Sequence, residues 1–343
     1  MLPAFGLYTH IRANRIRSVF LLIFLFALVY LLTYAGALAA LALSADMPLE
    51  YMLLVAWEDF LTAAPYVTVG ALAWVAISFF FNRQIIDAMI GGHAITRAEE
   101  PKLYDMLENL CISRGMRTPR LEILETDVLN AFATGVTERQ YAVTLTRGLI
   151  NRLNDDEIEA VMAHELTHIR NGDVQMMVIA MVIAGVIAFF CELGFRLIFY
   201  SGARTRRSSG RRDNGGGGAA AILIVLAIIA VAWALSLVIR FALSRTREYL
   251  ADAGAVELTK NPDAMISALR KIDGRSEIRT APSGIMEMCI DNPRKGFAGL
   301  LATHPSIDNR VKALIAYAGG RDVDPALREA PANEFNNPWS SQD

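Results

Sequence analysis

Ala163-His164-Glu165-Leu166-Thr167-His168 decides how the rest of this chain is read. On a helix, positions 164 and 168 fall on one face a turn apart, so both imidazoles can reach a single cation. Glu165 points to the side of that pair, where it can touch a water at the cation without binding the cation itself. The flanking residues predict a helix within the run Asn154 to Asp173. Asn154 is a good N-cap, and Glu157 stands three residues on, as in a capping box. Asp155 and Asp156 suit the positive end of the helix dipole. Ile158, Val161, Met162, Leu166 and Ile169 form an apolar stripe beside the histidines. The chain holds only five histidines, His10, His93, His164, His168 and His304. Two of them at ligand spacing favour a metal site over an ordinary amphipathic helix.

The 343 residues are 54% hydrophobic and 20% charged, with a mean hydropathy of +0.34. That is too apolar for an ordinary soluble protein of this length. The net charge of −2 and the lack of a basic groove with interleaved aromatics argue against a nucleic-acid partner. Cys111, Cys191 and Cys289 are odd in number and far apart. They suggest neither a disulfide framework nor a thiolate zinc site, and they suit a reducing compartment.

Arg12, Arg15 and Arg17 precede an uncharged apolar run from Ser18 to about Ser44. It is long enough to cross a bilayer and too long for a cleaved signal core. An acidic link from Ala45 to Phe60 leads to a second expected span, about Leu61 to Phe81, which ends at Asn82-Arg83. Basic ends and an acidic loop predict a cytoplasmic N-terminus and a cytoplasmic chain after Arg83. Residues 84–173 read as soluble. A helix is predicted around Leu103, Met106, Leu107 and Leu110, stopping at Gly115. Strands are predicted at Arg120–Thr126 and Tyr141–Leu145. Such a small sheet could be a plain hairpin, or could offer an edge to an extended peptide. Apolar runs at 174–200 and 219–243 flank a basic, Gly-rich linker, and Glu192 is spaced to pair with Arg196. Two full crossings would put that linker outside, against the charge rule, so either full spans or a re-entrant hairpin remains open. Helices are expected through Ala253–Leu258, from Asn261-Pro262-Asp263 to about Gly274, and after His304, with a loose tail from Gly319.

A catalytic zinc site takes a third protein ligand and keeps an open position. Glu248 is the best candidate, because it follows one membrane run as the motif helix precedes another. Asp252, one turn on, is placed to accept the second ring N–H of a ligand histidine. The alternative is that Glu248 and Asp252 simply pair with Arg245 and Arg247. Glu165 then serves as proton acceptor for water attacking a peptide carbonyl. His304 and Arg310, with Tyr249 behind them, are candidates for stabilising the oxyanion; a helix cap and a surface charge are their ordinary readings.

Taken together, these landmarks resemble the HtpX family of membrane-bound zinc metallopeptidases and, more distantly, the type I CAAX prenyl endopeptidases. The resemblance rests on two N-terminal spans, Asn130-Ala131-Phe132-Ala133-Thr134-Gly135, the His164–His168 motif, two further apolar runs, Ser244–Asp252 and Thr303–Arg310. It implies one Zn2+ per chain at His164, His168 and Glu248, with Glu165 as base. It implies Asn130 and Ala131 as contacts to a substrate strand, and His304 and Arg310 near the site. The expected fold is a mainly α integral membrane protein with four hydrophobic helices and an α+β, gluzincin-like zinc metallopeptidase domain. Its expected parts are a membrane anchor (1–83), a first peptidase half (84–173), a membrane hairpin (174–243), a second peptidase half (244–318) and a tail (319–343). The implied activity is cleavage of misfolded or damaged membrane proteins, at the cytoplasmic face of a bacterial inner membrane. The expected partners are polypeptide substrates and the lipid bilayer. A narrow processing peptidase and a zinc-bearing membrane chaperone or scaffold are the alternatives.

Overall fold

The computed structural model describes residues 7–45, 47–183, 185–186, 189, 192, 196, 217–242, 246–281, 283–293 and 304–322. Most of the basic linker, Ser244, Arg245, Thr303 and the tail from 323 lie outside the described residues. Two compact units form: Met1–Ile85 with Asn171–Leu243, and Ile86–Arg170 with Ser244–Asp343.

The first unit is helical. Helices α1 (Leu7–Ser44) and α2 (Leu49–Ile90) contain the stretches Ser18–Ser44 and Leu49–Phe81, both long and apolar enough to cross a membrane. Their outward side chains fit hydrocarbon rather than water. Phe20 is 66% exposed, Tyr66 78% and Phe80 65%. The second helix begins at Leu49 rather than near Leu61, and the acidic link is mostly helical. The reason is packing. Met52 and Ala56 are buried against Leu38, Ala221 and Val225, while Glu50, Glu58 and Asp59 stay exposed on the other face. Tyr30 and Thr68 also join α1 to α2 through a 2.7 Å hydroxyl hydrogen bond. Of the later apolar runs, the described residues form two shorter apolar helical stretches, α6 (Asp173–Ile183) and Gly218–Trp233 within α7 (Gly217–Ala242). Two membrane-length helices are therefore established among the described residues, where four were expected. The expected Glu192–Arg196 pair is present at 2.5 Å and is exposed.

The second unit is built on a four-stranded sheet in the order β1-β2-β4-β3. The strands are β1 (His93–Ala94), β2 (Arg120–Leu124), β3 (Ala131–Thr134) and β4 (Ala142–Thr146). The two predicted strands exist, each within two residues of its expected bounds. They do not form a hairpin. They run parallel, with Leu121 opposite Val143 and Ile123 opposite Leu145. Between them the chain makes β3, which lies antiparallel on the far side of β4. Gly135 permits the return from β3. Its φ is +108°, and an added Cβ would stand 2.7 Å from the Gln140 carbonyl oxygen, so only glycine fits.

Helix α3 (Pro101–Arg114) stops where its glycine predicts. Gly115 has a φ of 62°, and its N–H donates to the Cys111 and Ile112 carbonyls. After β4 come α4 (Arg147–Arg152) and α5 (Asp155–Asn171), the motif helix. After α7 follow α8 (Thr246–Thr259), α9 (Pro262–Ile272), α10 (Ser283–Met286) and α11 (Ile307–Ala318). Asn261 caps α9 by accepting from the Ala264 N–H at 3.0 Å. Ser306 caps α11. Helix α8 packs against α3, α9 and α11, which brings its first turns over the motif helix.

Candidate metal centre

The start of α5 is fixed by the reciprocal pair that its sequence predicts. The Glu157 N–H donates to Asn154 Oδ1 at 2.9 Å, and the Asn154 N–H donates to Glu157 Oε2 at 2.8 Å. The Glu157 carboxylate is buried and also accepts from Ser267 Oγ at 2.5 Å and Lys271 Nζ at 2.8 Å. The cap thus joins α5 to α9. It sets the rotation of the helix that carries His164 and His168.

Both histidines are buried, at 0% and 4% exposure, and their Nε2 atoms lie 3.1 Å apart. Glu248 Oε2, from α8, stands 3.6 Å from His164 Nε2 and 3.7 Å from His168 Nε2. Ligand atoms around a tetrahedral zinc with bonds of about 2.1 Å are separated by about 3.4 Å. The observed triangle matches that spacing, and these three residues can hold one metal ion. The donors are two imidazoles and a carboxylate with no sulfur, as in catalytic rather than closed structural sites. Two observations reinforce the fit. Both carboxylate oxygens of Glu165 and Oε2 of Glu248 are buried without any hydrogen-bond partner, a costly arrangement for polar atoms that no cation or water engages.

Asp252 lies one turn beyond Glu248 on α8. Its Oδ1 lies 3.0 Å from His164 Nδ1, which fixes the ring so that Nε2 faces the other donors. Arg310, 1% exposed, then clamps Asp252, with Nε donating to Oδ2 at 2.8 Å and Nη2 to Oδ1 at 2.5 Å. His304 Nδ1 stands 3.4 Å from Glu248 Oε1. Arg310 and His304 are therefore neither a surface charge nor a helix cap. The pairing of Glu248 with Arg247 is also real, at 3.2 Å from Nε to Oε1. It coexists with the histidine contacts instead of replacing them. Asp252 takes Arg310 as its partner, not Arg247.

The electrostatics separate the carboxylates. Burial pushes Glu165 above the usual carboxylate range, with His164 and His168 pulling the other way less strongly. Burial also pushes on Glu248, but His304, His168 and His164 together hold it well below that range. Burial is likewise outweighed at Asp252, chiefly by the charge and hydrogen bonds of Arg310, and that carboxyl is lowered. Two ionised carboxylates therefore sit beside one that readily holds a proton, a division suited to acid–base work.

Helix α8 approaches α5 where Gly254 faces Thr167. A Cβ on Gly254 would lie 2.4 Å from Thr167 Cγ2. The close approach keeps Glu248 within reach of the histidines. Gly254→Ala should force the helices apart, cost about 1–3 kcal/mol by overpacking and weaken metal affinity roughly tenfold. The added change Thr167→Ala removes the obstructing methyl and should restore most of both. Competition with a calibrated chelator reads the affinity, and an unchanged value in the single variant would refute this account of the spacing.

Asn130 and Ala131 lie at the start of β3, fully buried. The Asn130 side chain turns its oxygen to the Ala131 N–H at 2.9 Å and its Nδ2 to the carbonyls of Ser276 at 2.7 Å and Asp291 at 3.1 Å. The β3 edge at this point is covered by the chain's own residues 289 and 290. Sequence reasoning did not anticipate that cover, nor the Ser267 and Lys271 contacts to Glu157. These are long-range contacts without a spacing signature. Tyr249 lies apart from these contacts, lining a cleft of about 890 Å³ between α8 and α11.

The sequence pattern of Peptidase family M48 matches residues 97–318. A protein named Protease HtpX homolog from Bacteroides fragilis is 38% identical over 319 residues, which cover 90% of this chain and 98% of that protein. A Listeria innocua protein of the same name is 37% identical over 316 residues, 90% of this chain and 99% of its own length. Among solved structures, the crystal structure of S. mikatae Ste24p aligns at 20% identity with a TM-score of 0.47. The alignment covers 75% of this chain and 60% of that one.

Proposed function

The chain belongs to Peptidase family M48 and is a metallopeptidase with membrane-length helices; from this premise we propose that it is a zinc-dependent endopeptidase acting on misfolded or damaged membrane proteins. The observation that carries the reading is the buried triangle of His164, His168 and Glu248 with the unpartnered Glu165 carboxylate beside it. These three residues would hold the zinc. When bound there, zinc supplies Lewis acidity to the scissile carbonyl and lowers the pKa of water towards neutrality. Glu165 takes the proton of the attacking water and delivers it to the leaving amine. Its raised proton affinity suits the second of these tasks. Asp252 keeps His164 in the tautomer that leaves Nε2 free for the metal. Arg310 supplies positive charge, and His304 a ring N–H, where the carbonyl oxygen becomes negative. The edge of β3 at Asn130 and Ala131 aligns an extended substrate main chain. The peptidase unit faces the cytoplasm of a bacterial inner membrane, as the charges around α1 and α2 suggest.

The test is a protease assay on the full chain in detergent. The purified protein is expected to hold about one zinc per chain and to cleave an unfolded polypeptide. Chelation should abolish cleavage, and added zinc should restore it. Zinc bound at that stoichiometry with no turnover would refute the peptidase reading and favour a zinc-bearing scaffold.

A further inference from the structure

Residues 287–291 lie where a substrate main chain would lie, and we infer that they form an internal plug which an incoming polypeptide must displace. The inference rests on the peptidase reading above and concerns how that site is regulated. The free side of β3 is the place for an added strand, and part of it is taken. The Ile290 N–H donates to the Ala131 carbonyl at 2.9 Å, and Cys289 stands opposite Phe132 in an antiparallel bridge. The two side chains assigned to the substrate carbonyl, His304 and Arg310, are engaged by the same stretch. Arg310 Nη1 donates to the Ile290 carbonyl at 2.6 Å. His304 Nε2 lies 3.1 Å from the Glu287 carbonyl. The Asn130 amide holds the next carbonyl, that of Asp291, at 3.1 Å. Edge strand, histidine and arginine are the groups an extended substrate would use, and each already binds this chain's own backbone.

The strand pairing is short, although Met288, Cys289 and Ile290 are buried and displacement would expose them. The plug makes a single bridge to β3, whereas β2 pairs with β4 through five consecutive residues. A substrate that lies along the whole of Ala131–Thr134 can form further ladder hydrogen bonds, each worth roughly a fivefold gain over the plug. A folded protein has no free strand to offer, so it cannot compete. The plug thus restricts the site to extended, unfolded segments. That is the substrate class a quality-control peptidase should take.

The native Cys289 provides the test. In a full chain with Cys111→Ala and Cys191→Ala, Phe132→Cys creates a directly opposed pair. Such a non-hydrogen-bonded antiparallel pair has Cα atoms about 4.5 Å apart, within disulfide range. The oxidised protein is expected to cross-link and to cleave unfolded casein at least tenfold more slowly than the same protein after reduction, with unchanged zinc content. Full cleavage by the cross-linked chain, or failure of the two thiols to join, would overturn the proposal. Phe132 is buried and its truncation can unfold the unit, so a second measurement uses Glu165→Gln with β3 intact. On binding unfolded casein, hydrogen exchange across 283–293 should rise at least tenfold while 130–134 stays protected. Captured casein with 283–293 still protected sinks the plug. Absence of cleavage by the unmodified chain sinks the peptidase reading instead.

Discussion

Glu165→Gln should lower the rate of peptide hydrolysis about 10³-fold while the protein keeps its full complement of metal. General acid–base assistance contributes roughly 10²–10⁴-fold in such reactions, and glutamine can neither accept the water's proton nor return one to the leaving amine. The substitution changes little else. Both Glu165 oxygens lack a protein partner, so no structural hydrogen bond is broken. The residue is not one of the three grouped donors, so metal affinity should be preserved. The burial that raises Glu165 means an uncharged amide is no worse accommodated than the carboxylate, and the melting temperature should hold or rise. The measurement pairs turnover of an unfolded polypeptide with metal content and melting temperature. Activity within tenfold of the parent chain would show that another group carries the proton.

The motif helix was legible because its information is local. The two histidines, the proposed base and the apolar stripe all lie within the 17 residues of α5, and the cap stands one residue before it. Gly115 and Asn261 were legible for the same reason, since each supplies a particular backbone requirement. Glu248 was a candidate because it follows one apolar run as the motif helix precedes another, and Asp252 because it stands one turn on, although the contact with His164 spans a long stretch of sequence. Strand β3 was not legible. Ala131-Phe132-Ala133-Thr134 has no apolar–polar alternation, unlike Val143-Thr144-Leu145-Thr146 in the equally buried β4. The position of β3 outside β4 depends on pairing across the chain, which no local pattern encodes. Strand β1 is two residues long, too short to show any period. The early start of α2 was hidden by its acids, which suggested a polar link but occupy only the exposed face of a helix. The roles of Arg310 and His304 were suggested by type and order, but their burial beside Glu248 follows from the packing of α11 on α8, which is a tertiary fact.

That packing makes Asp252 the residue whose loss should damage the protein most. Asp252→Ala removes the partner of His164 Nδ1 and also strands the Arg310 guanidinium, which is 1% exposed. Breaking one side of a buried ion pair typically costs about 3–5 kcal/mol, so the metal-free protein should melt far lower or fail to fold. Metal affinity should fall by a further 10–100-fold, because the imidazole loses the group that orients it. A second substitution separates the two effects. Adding Arg310→Met to Asp252→Leu replaces both charges with apolar side chains, and such replacements are often neutral or stabilising. The doubly substituted chain should recover most of its metal-free stability without recovering metal affinity. Acid supplies an independent check. Asp252 is held below its ordinary value, so its stabilising contribution is present at neutral pH and is lost as pH falls below about 4 and through the folded-state value. The stability gap between the parent chain and Asp252→Ala should accordingly narrow in that range. If the gap stays constant down to full protonation, or if the double variant regains normal metal affinity, Asp252 is not the link between Arg310 and the metal-binding histidine.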